Sequence, residues 1–399
     1  MRNGAKPTGR SQAKDSPAFR TGLDTLLSDC GEWLAGRRIG LVSHPAAINR
    51  DGRNSVDVLA GTAGLRLKAL FGLEHGFFGE AAAGLRVARR THPRLRLPVF
   101  SLYGANRSPS PAMLRGLDTL VFDIQDIGVR SYTFISSLRL IMETAARAGL
   151  RLVVADRPVP AADTVDGPML DPSFASFVAA VPSPMVYGMT PGESALWLRE
   201  TLGLDLDLRV APMRGYSRDE RPHIQWPAWV PPSPQIRSWD TALSYPALVF
   251  TEALPFCDHA RNTPHAFQVV AVPGLAAAGL LRALERSDVT GAHFVPHTYV
   301  AAHGAMTGRL LDGVRLVIHS PSAFRPCECS LALLAALRRL LPGMWRKRGV
   351  RRDFMDKLYG TDRVRNRIES GDSPADIAAE WRNGLDSFRK TRLRHLLYR

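Results

Sequence analysis

Four short apolar runs recur along the first 160 residues, each closed by a polar or glycine-bearing stretch. They are Arg38 to Ser43 (RIGLVS), Leu67 to Gly72 (LKALFG), Thr119 to Ile124 (TLVFDI) and Arg151 to Asp156 (RLVVAD). Runs this short and this apolar predict strands buried on both faces. The intervening stretches Ser55 to Ala63, Pro111 to Gly116 and Ser136 to Ala148 predict helices. Such alternation confines the chain to an α/β fold with a doubly wound parallel sheet. It also gathers the loops Ser43-His44, Gly72 to Gly76, Asp123 to Arg130 and Asp156-Arg157 at one edge of that sheet. That edge, at the carboxyl ends of the strands, is where open α/β sheets carry out their chemistry.

At 399 residues the chain exceeds one ordinary core, so two domains are expected. Residues 1–19 read as a disordered basic tail, 20–211 as the sheet domain, and 212–265 as a Pro/Trp-rich segment beside a cleft. Residues 266–399 read as a smaller α/β or α+β domain. Its expected strands are Phe267 to Val272 and Val314 to His319. Its expected helices are Leu275 to Ser287, Ser330 to Leu341 and Ala375 to Tyr398. The formal charge is +15, and 46 of the 52 cations are arginine. That charge attracts polyanions in general. The basic clusters lack the interleaved aromatics of a nucleic-acid module, so no nucleic-acid partner is expected. No apolar stretch approaches the ~20 residues of a membrane span. No signal peptide is visible, which predicts a cytoplasmic chain as given, or a periplasmic or secreted one if the true start differs. The four cysteines are too few and too scattered for a disulfide framework or a zinc site.

Two loops concentrate the chemistry. The first, Gly72-Leu73-Glu74-His75-Gly76, sets a carboxylate beside an imidazole at a strand end. The second runs from Asp123 through Gln125, Asp126, Arg130 and Tyr132 to Thr133. Two carboxyl-bearing loops facing one cleft are what glycosidic hydrolysis requires: one acid for the leaving oxygen, one base or nucleophile for the anomeric carbon. Glu193 reads differently. It lies three residues after Thr190, with Pro191 between, and its expected use is a capping box. No G-x-G-x-x-G follows the first strand, so no dinucleotide cofactor is expected, and no metal or other cofactor either.

In order along the chain, Leu70 to Gly79 resembles the "LF-x-PEHGF-x-G" motif of the NamZ-type exo-β-N-acetylmuramidases. Pro98 to Gly104 resembles that family's "PVYSLYG", and Asp123 to Thr133 its "DIQDVGVRFYTY". Asp156-Arg157-Pro158, Tyr187 to Glu193, Trp229 to Gln235 and Arg392 to Tyr398 resemble "DRPNP", "YGMTIGELA", "WVPPSPN" and the "R-x-x-YLLY" ending. The resemblance runs from about residue 22 to the end. It implies a Rossmann-like N-terminal domain, a smaller C-terminal domain and a cleft between them. It further implies release of terminal β-linked N-acetylmuramic acid from the non-reducing ends of peptidoglycan fragments, in cell-wall turnover.

On that resemblance Glu74 is the expected catalytic acid. Asp123 and Asp126 are expected to supply the second acidic role, with Glu80 a weaker alternative. His75, Gln125, Arg130, Tyr132, Arg261 and Trp229 are expected to bind substrate, Arg130 taking the lactyl carboxylate. The chain departs from the family in three places. The family's "EGT-N-x-SEGRGTT-x-PF" becomes Glu252 to Phe267, with Arg261 and Thr263 matching after a one-residue shift. Its "TNQTG" becomes Ser43 to Ala47, and the proline before Glu74 is Leu73. The altered Cys257 to Thr263 loop leaves an alternative open: a non-hydrolytic protein on the same fold that binds muropeptides or another anionic glycan.

Overall fold

The computed structural model describes residues 18–79, 90–104, 106–218, 229–285 and 287–398. The basic residues 1–17, Glu80 and Trp226 lie outside these. Seven strands form the main sheet: β1 (Arg38–Val42), β2 (Arg66–Gly72), β3 (Arg90–Thr91), β4 (Pro98–Ser101), β5 (Thr119–Phe122), β6 (Arg151–Ala155) and, after a two-stranded ribbon of β7 (Asp166–Met169) and β8 (Pro184–Val186), β9 (Leu208–Ala211). The spatial order is β3-β4-β2-β1-β5-β6-β9, all parallel except the short β3. Leaving out that edge strand, the order is that of a doubly wound nucleotide-binding sheet.

Both faces are covered, as the apolar runs require. Leu41, Leu70, Val121 and Val153 belong to one hydrophobic cluster, and their chain neighbours Val42, Phe71, Phe122 and Val154 belong to another. The alternation is the two-residue period of a strand read on two buried faces. Helices α1 (Gly22–Ser28), α2 (Ser55–Gly61), α3 (Pro111–Leu114), α4 (Phe134–Arg147) and α5 (Pro191–Thr201) serve this half. At α5 the expected capping box is present: Thr190 Oγ1 accepts from Glu193 N, and Glu193 Oε2 accepts from Thr190 N at 2.9 Å.

After α6 (Trp239–Leu248), the second half is built on a three-stranded antiparallel sheet of β10 (Val269–Ala271), β11 (Ala292–Val300) and β12 (Leu310–Ile318), ordered β10-β12-β11. Helices α7 (Ala277–Leu284), α8 (Pro326–Leu340), α9 (Arg352–Tyr359), α10 (Arg363–Ser370), α11 (Pro374–Ala379) and α12 (Arg382–Arg392) complete it. The long helix expected over Ala375 to Tyr398 is two helices, because the chain steps at Glu380-Trp381 and buries Trp381. One hydrophobic cluster runs unbroken from Val42 and Phe122 to Val270, Leu331 and Leu358, so the two halves share a core.

Candidate active site

The loop after β2 is folded by its glycines. A side chain at Gly72 would put its Cβ 2.2 Å from Phe77 N, so the loop doubles back against the strand end only because that atom is missing. His75 and Gly76 both take positive φ, 71° and 80°. The bend presents Glu74 and His75 to a cleft of about 1230 Å³. Small-molecule sites are usually ~300–1,000 Å³, so this one has room for the end of an oligosaccharide.

Thr133 stands at the N-terminus of α4, but no side-chain cap bond forms there. Its hydroxyl instead donates to Glu74 Oε2 at 2.7 Å. A helix cap contributes ~1 kcal/mol, which this threonine gives up to hold the carboxylate. Tyr103 also bonds to Glu74. Burial and the neighbouring carboxylate push its phenol up to about 12.

A second carboxylate faces the same cleft. Glu252 sits on a short 3-10 turn, Val249–Ala253, directly after α6. Arg261 Nη1 lies 3.0 Å from Glu252 Oε1. Burial raises the Glu252 carboxyl above the usual glutamate range, Arg261 and Arg351 oppose the rise, and the charge on Glu74 adds to it. Sequence reasoning matched Glu252 to the family pattern without giving it a role. Its signal is indirect: a lone acid after Tyr245-Pro246, with its arginine nine residues on.

His75, Tyr132 and Arg261 line the cleft with Glu74 and Glu252. The other expected residues lie elsewhere. Asp123 is fully buried and held by the Arg157 guanidinium through two bonds, one of them Nη2 to Oδ2 at 3.0 Å. Asp126 is buried and accepts from Ile127 N at 2.5 Å and Gly128 N at 3.1 Å, and burial raises its carboxyl to about 7. Gln125 Nε2 donates to the carbonyls of Asp126 and Pro158, at 2.9 and 2.7 Å. Arg130 is fully buried and donates to the carbonyls of Pro168, Ser183 and Tyr359, tying the β7–β8 ribbon to the end of α9. Trp229 donates from Nε1 to Ile236 O at 3.0 Å and packs edge-on against Trp239. None of these five lines the cleft.

The β1/β5 switch point, where sheets of this order hold nucleotides, is filled by protein. His44 Nε2 accepts from Gln125 N at 2.9 Å, Arg157 Nη1 donates to Ile48 O at 2.9 Å, and all these groups are buried. Among the described residues, no group of three His, Cys, Asp or Glu side chains could hold a metal ion. No helix among them is long and apolar enough to cross a membrane.

The altered 257–267 loop keeps a defined shape. Ala260 and Asn262 flank Arg261 with φ of 55° and 64°. Those are the positions where the family's "G-R-G" has glycine once the one-residue shift is applied, and here left-handed backbone forms without glycine. Asn262 and Gln235 bond reciprocally, Nε2 to Oδ1 at 2.7 Å and N to Oε1 at 2.8 Å. This clamps the loop to the Pro-rich segment.

Residues 39–240 match the N-terminal region, and residues 243–398 the C-terminal region, of the family described as exo-beta-N-acetylmuramidase NamZ. The chain belongs to the NamZ exo-β-N-acetylmuramidase family. It is 33% identical over 402 residues to the peptidoglycan beta-N-acetylmuramidase NamZ of Bacillus subtilis (strain 168), covering 99% of this chain and 95% of that protein. Two crystal structures of DUF1343-family proteins from Bacteroides fragilis share its fold. One has a TM-score of 0.89 at 29% identity and the other 0.75 at 26%, each over 96% of this chain and 99% of its own. The NamZ N-terminal match ends and the C-terminal one begins around α6, close to the cleft.

Proposed function

We propose that this chain is an exo-acting glycoside hydrolase that releases terminal β-linked N-acetylmuramic acid from the non-reducing ends of peptidoglycan fragments. The observation that carries the proposal is the pair Glu74 and Glu252 on one cleft, in a chain of the NamZ family. In this reading Glu74 is the general acid and protonates the leaving glycosidic oxygen. Glu252, steadied by Arg261, is the carboxylate that acts at the anomeric side. Asp123 and Asp126 then hold the loop behind the cleft. The lactyl carboxylate meets the cleft's cations Arg107, Arg351 and Lys357, none of which is ion-paired to a carboxylate among the described residues.

One observation favours the reverse division of labour. Burial favours the protonated form of Glu252, the form a general acid needs, whereas Glu74 accepts from the hydroxyls of Thr133 and Tyr103. Chromogenic substrates separate the two. Glu74→Gln and Glu252→Gln should each slow release of para-nitrophenol from its β-N-acetylmuraminide by ~10²-fold or more. The variant lacking the acid recovers with a more acidic leaving group such as dinitrophenol. The variant lacking the base or nucleophile recovers with added azide. Full activity in both variants would sink the proposal.

A further inference from the structure

Neither ring nitrogen of His259 has a hydrogen-bond partner among the described residues, although the residue is only 8% exposed. His259 is one of the residues lining the cleft, and because both ring nitrogens are closed to solvent as the ring stands, a ligand reaches them when the ring turns about Cβ–Cγ, a turn that keeps its stack. One face is stacked on Phe267, with centroids 4.6 Å apart and planes at 26°, and Phe267 in turn meets Tyr245 edge-on at 4.9 Å. The backbone at His259 is held: its carbonyl accepts from Phe267 N at 2.9 Å, and Asp258 beside it takes the Tyr299 hydroxyl at 2.5 Å. Burial, with Arg261 and His303 alongside, holds the imidazole down to about 3. It is therefore neutral at working pH and offers one N–H and one lone pair.

A buried polar group left unpaired is destabilising, and such a group persists where a ligand completes it. The surroundings narrow the ligand. Phe267 lies against the imidazole, Tyr245 against Phe267, and Cys257 lines the same cleft, which gives it an apolar wall. An acetamido group presents a methyl for such a wall and a carbonyl oxygen for an N–H. We propose that His259 recognises the acetamido group of the terminal sugar, its N–H donating to the acetamido oxygen and its lone pair accepting from an adjacent sugar hydroxyl. The family's "SEGRG" pattern has no histidine at this point, so the contact belongs to this chain's altered loop. The inference rests on the cleft being the muramidase site.

The test is calorimetric titration with N-acetylmuramic acid and with muramic acid, which lacks the acetyl group. It is run on the wild type, on His259→Phe, which keeps the stack, and on His259→Gln, which restores a donor and an acceptor. The wild type should bind the acetylated sugar at least tenfold more tightly. That preference should shrink severalfold in His259→Phe and return in part in His259→Gln, with thermal melts confirming that both variants fold. An equal preference in wild type and His259→Phe, or none in the wild type, overturns the inference and leaves the proposed hydrolysis standing. A wild type that shows the preference but releases no para-nitrophenol overturns the hydrolysis and leaves the acetamido contact standing.

Discussion

At the scale of single residues, the sharpest contrast lies between acids that face the cleft and acids that hold the fold. Asp123 and Glu74 both follow strands of the main sheet, and both fall in motif-bearing loops. Asp123 is fully buried against Arg157, whose guanidinium also reaches the Ile48 carbonyl. Removing one partner of such a pair leaves a buried charge uncompensated, at a cost of ~3–5 kcal/mol. Asp123→Ala should therefore lose about that much stability in urea unfolding. The molecules that remain folded should keep turnover within severalfold of wild type. A ~10²-fold loss in folded, melt-verified Asp123→Ala would instead give that carboxylate a part in the chemistry. Sequence alone could not separate the two acids. Each reads as a carboxylate at a strand end, and only the third dimension shows that Arg157, 34 residues on, closes over Asp123.

At the scale of elements, the strands with the most continuous apolar runs were legible: β1, β2, β5 and β6 fall within a residue or two of the runs that predict them. They are buried on both faces, so burial alone writes them into the sequence. β11 was not legible. It alternates exposed and part-buried positions, with Pro296 inside it, and its pairing with β12 decides its conformation. The 257–267 loop shows the same limit in the site. Its lost glycines left a non-hydrolytic reading open, yet Ala260 and Asn262 take left-handed backbone. Asparagine tolerates that region better than alanine does. Ala260→Gly should thus relieve ~1 kcal/mol of backbone strain, less what glycine's freer unfolded chain takes back. The expected result is a small rise in melting temperature with para-nitrophenol release unchanged. A fall in melting temperature would mean that the alanine methyl packs more favourably than the backbone is strained.

At the scale of the whole molecule, the sheet domain and the Pro-rich segment meet at His44, and that junction makes stability depend on pH. His44 is buried at the end of β1. Its Nε2 accepts from Gln125 N, and its ring also bonds to the Pro232 backbone. The ring joins the loop after β5 to the segment that clamps the 257–267 loop. Burial and the nearby Arg157 hold its pKa down to about 3, against 6.5 for a free histidine. The folded state therefore declines a proton that the unfolded chain takes up near pH 6.5. Between these two values the unfolded state binds more protons, so stability conferred above pH 6.5 is lost as pH falls toward 3. Each unit below 6.5 costs up to about 1.4 kcal/mol for such a group, or roughly 2–3 kcal/mol by pH 4.5. His44→Gln keeps an acceptor and a donor in similar places but has no proton to take up. It should be less stable than wild type at pH 7.5, because its fit is poorer. Its melting temperature should also fall less between pH 7.5 and 4.5, and the difference between the two slopes isolates His44 from the carboxylates common to both proteins. Parallel melting curves across that range would show that the imidazole can accept a proton without breaking the junction, and that acid sensitivity arises elsewhere in the fold.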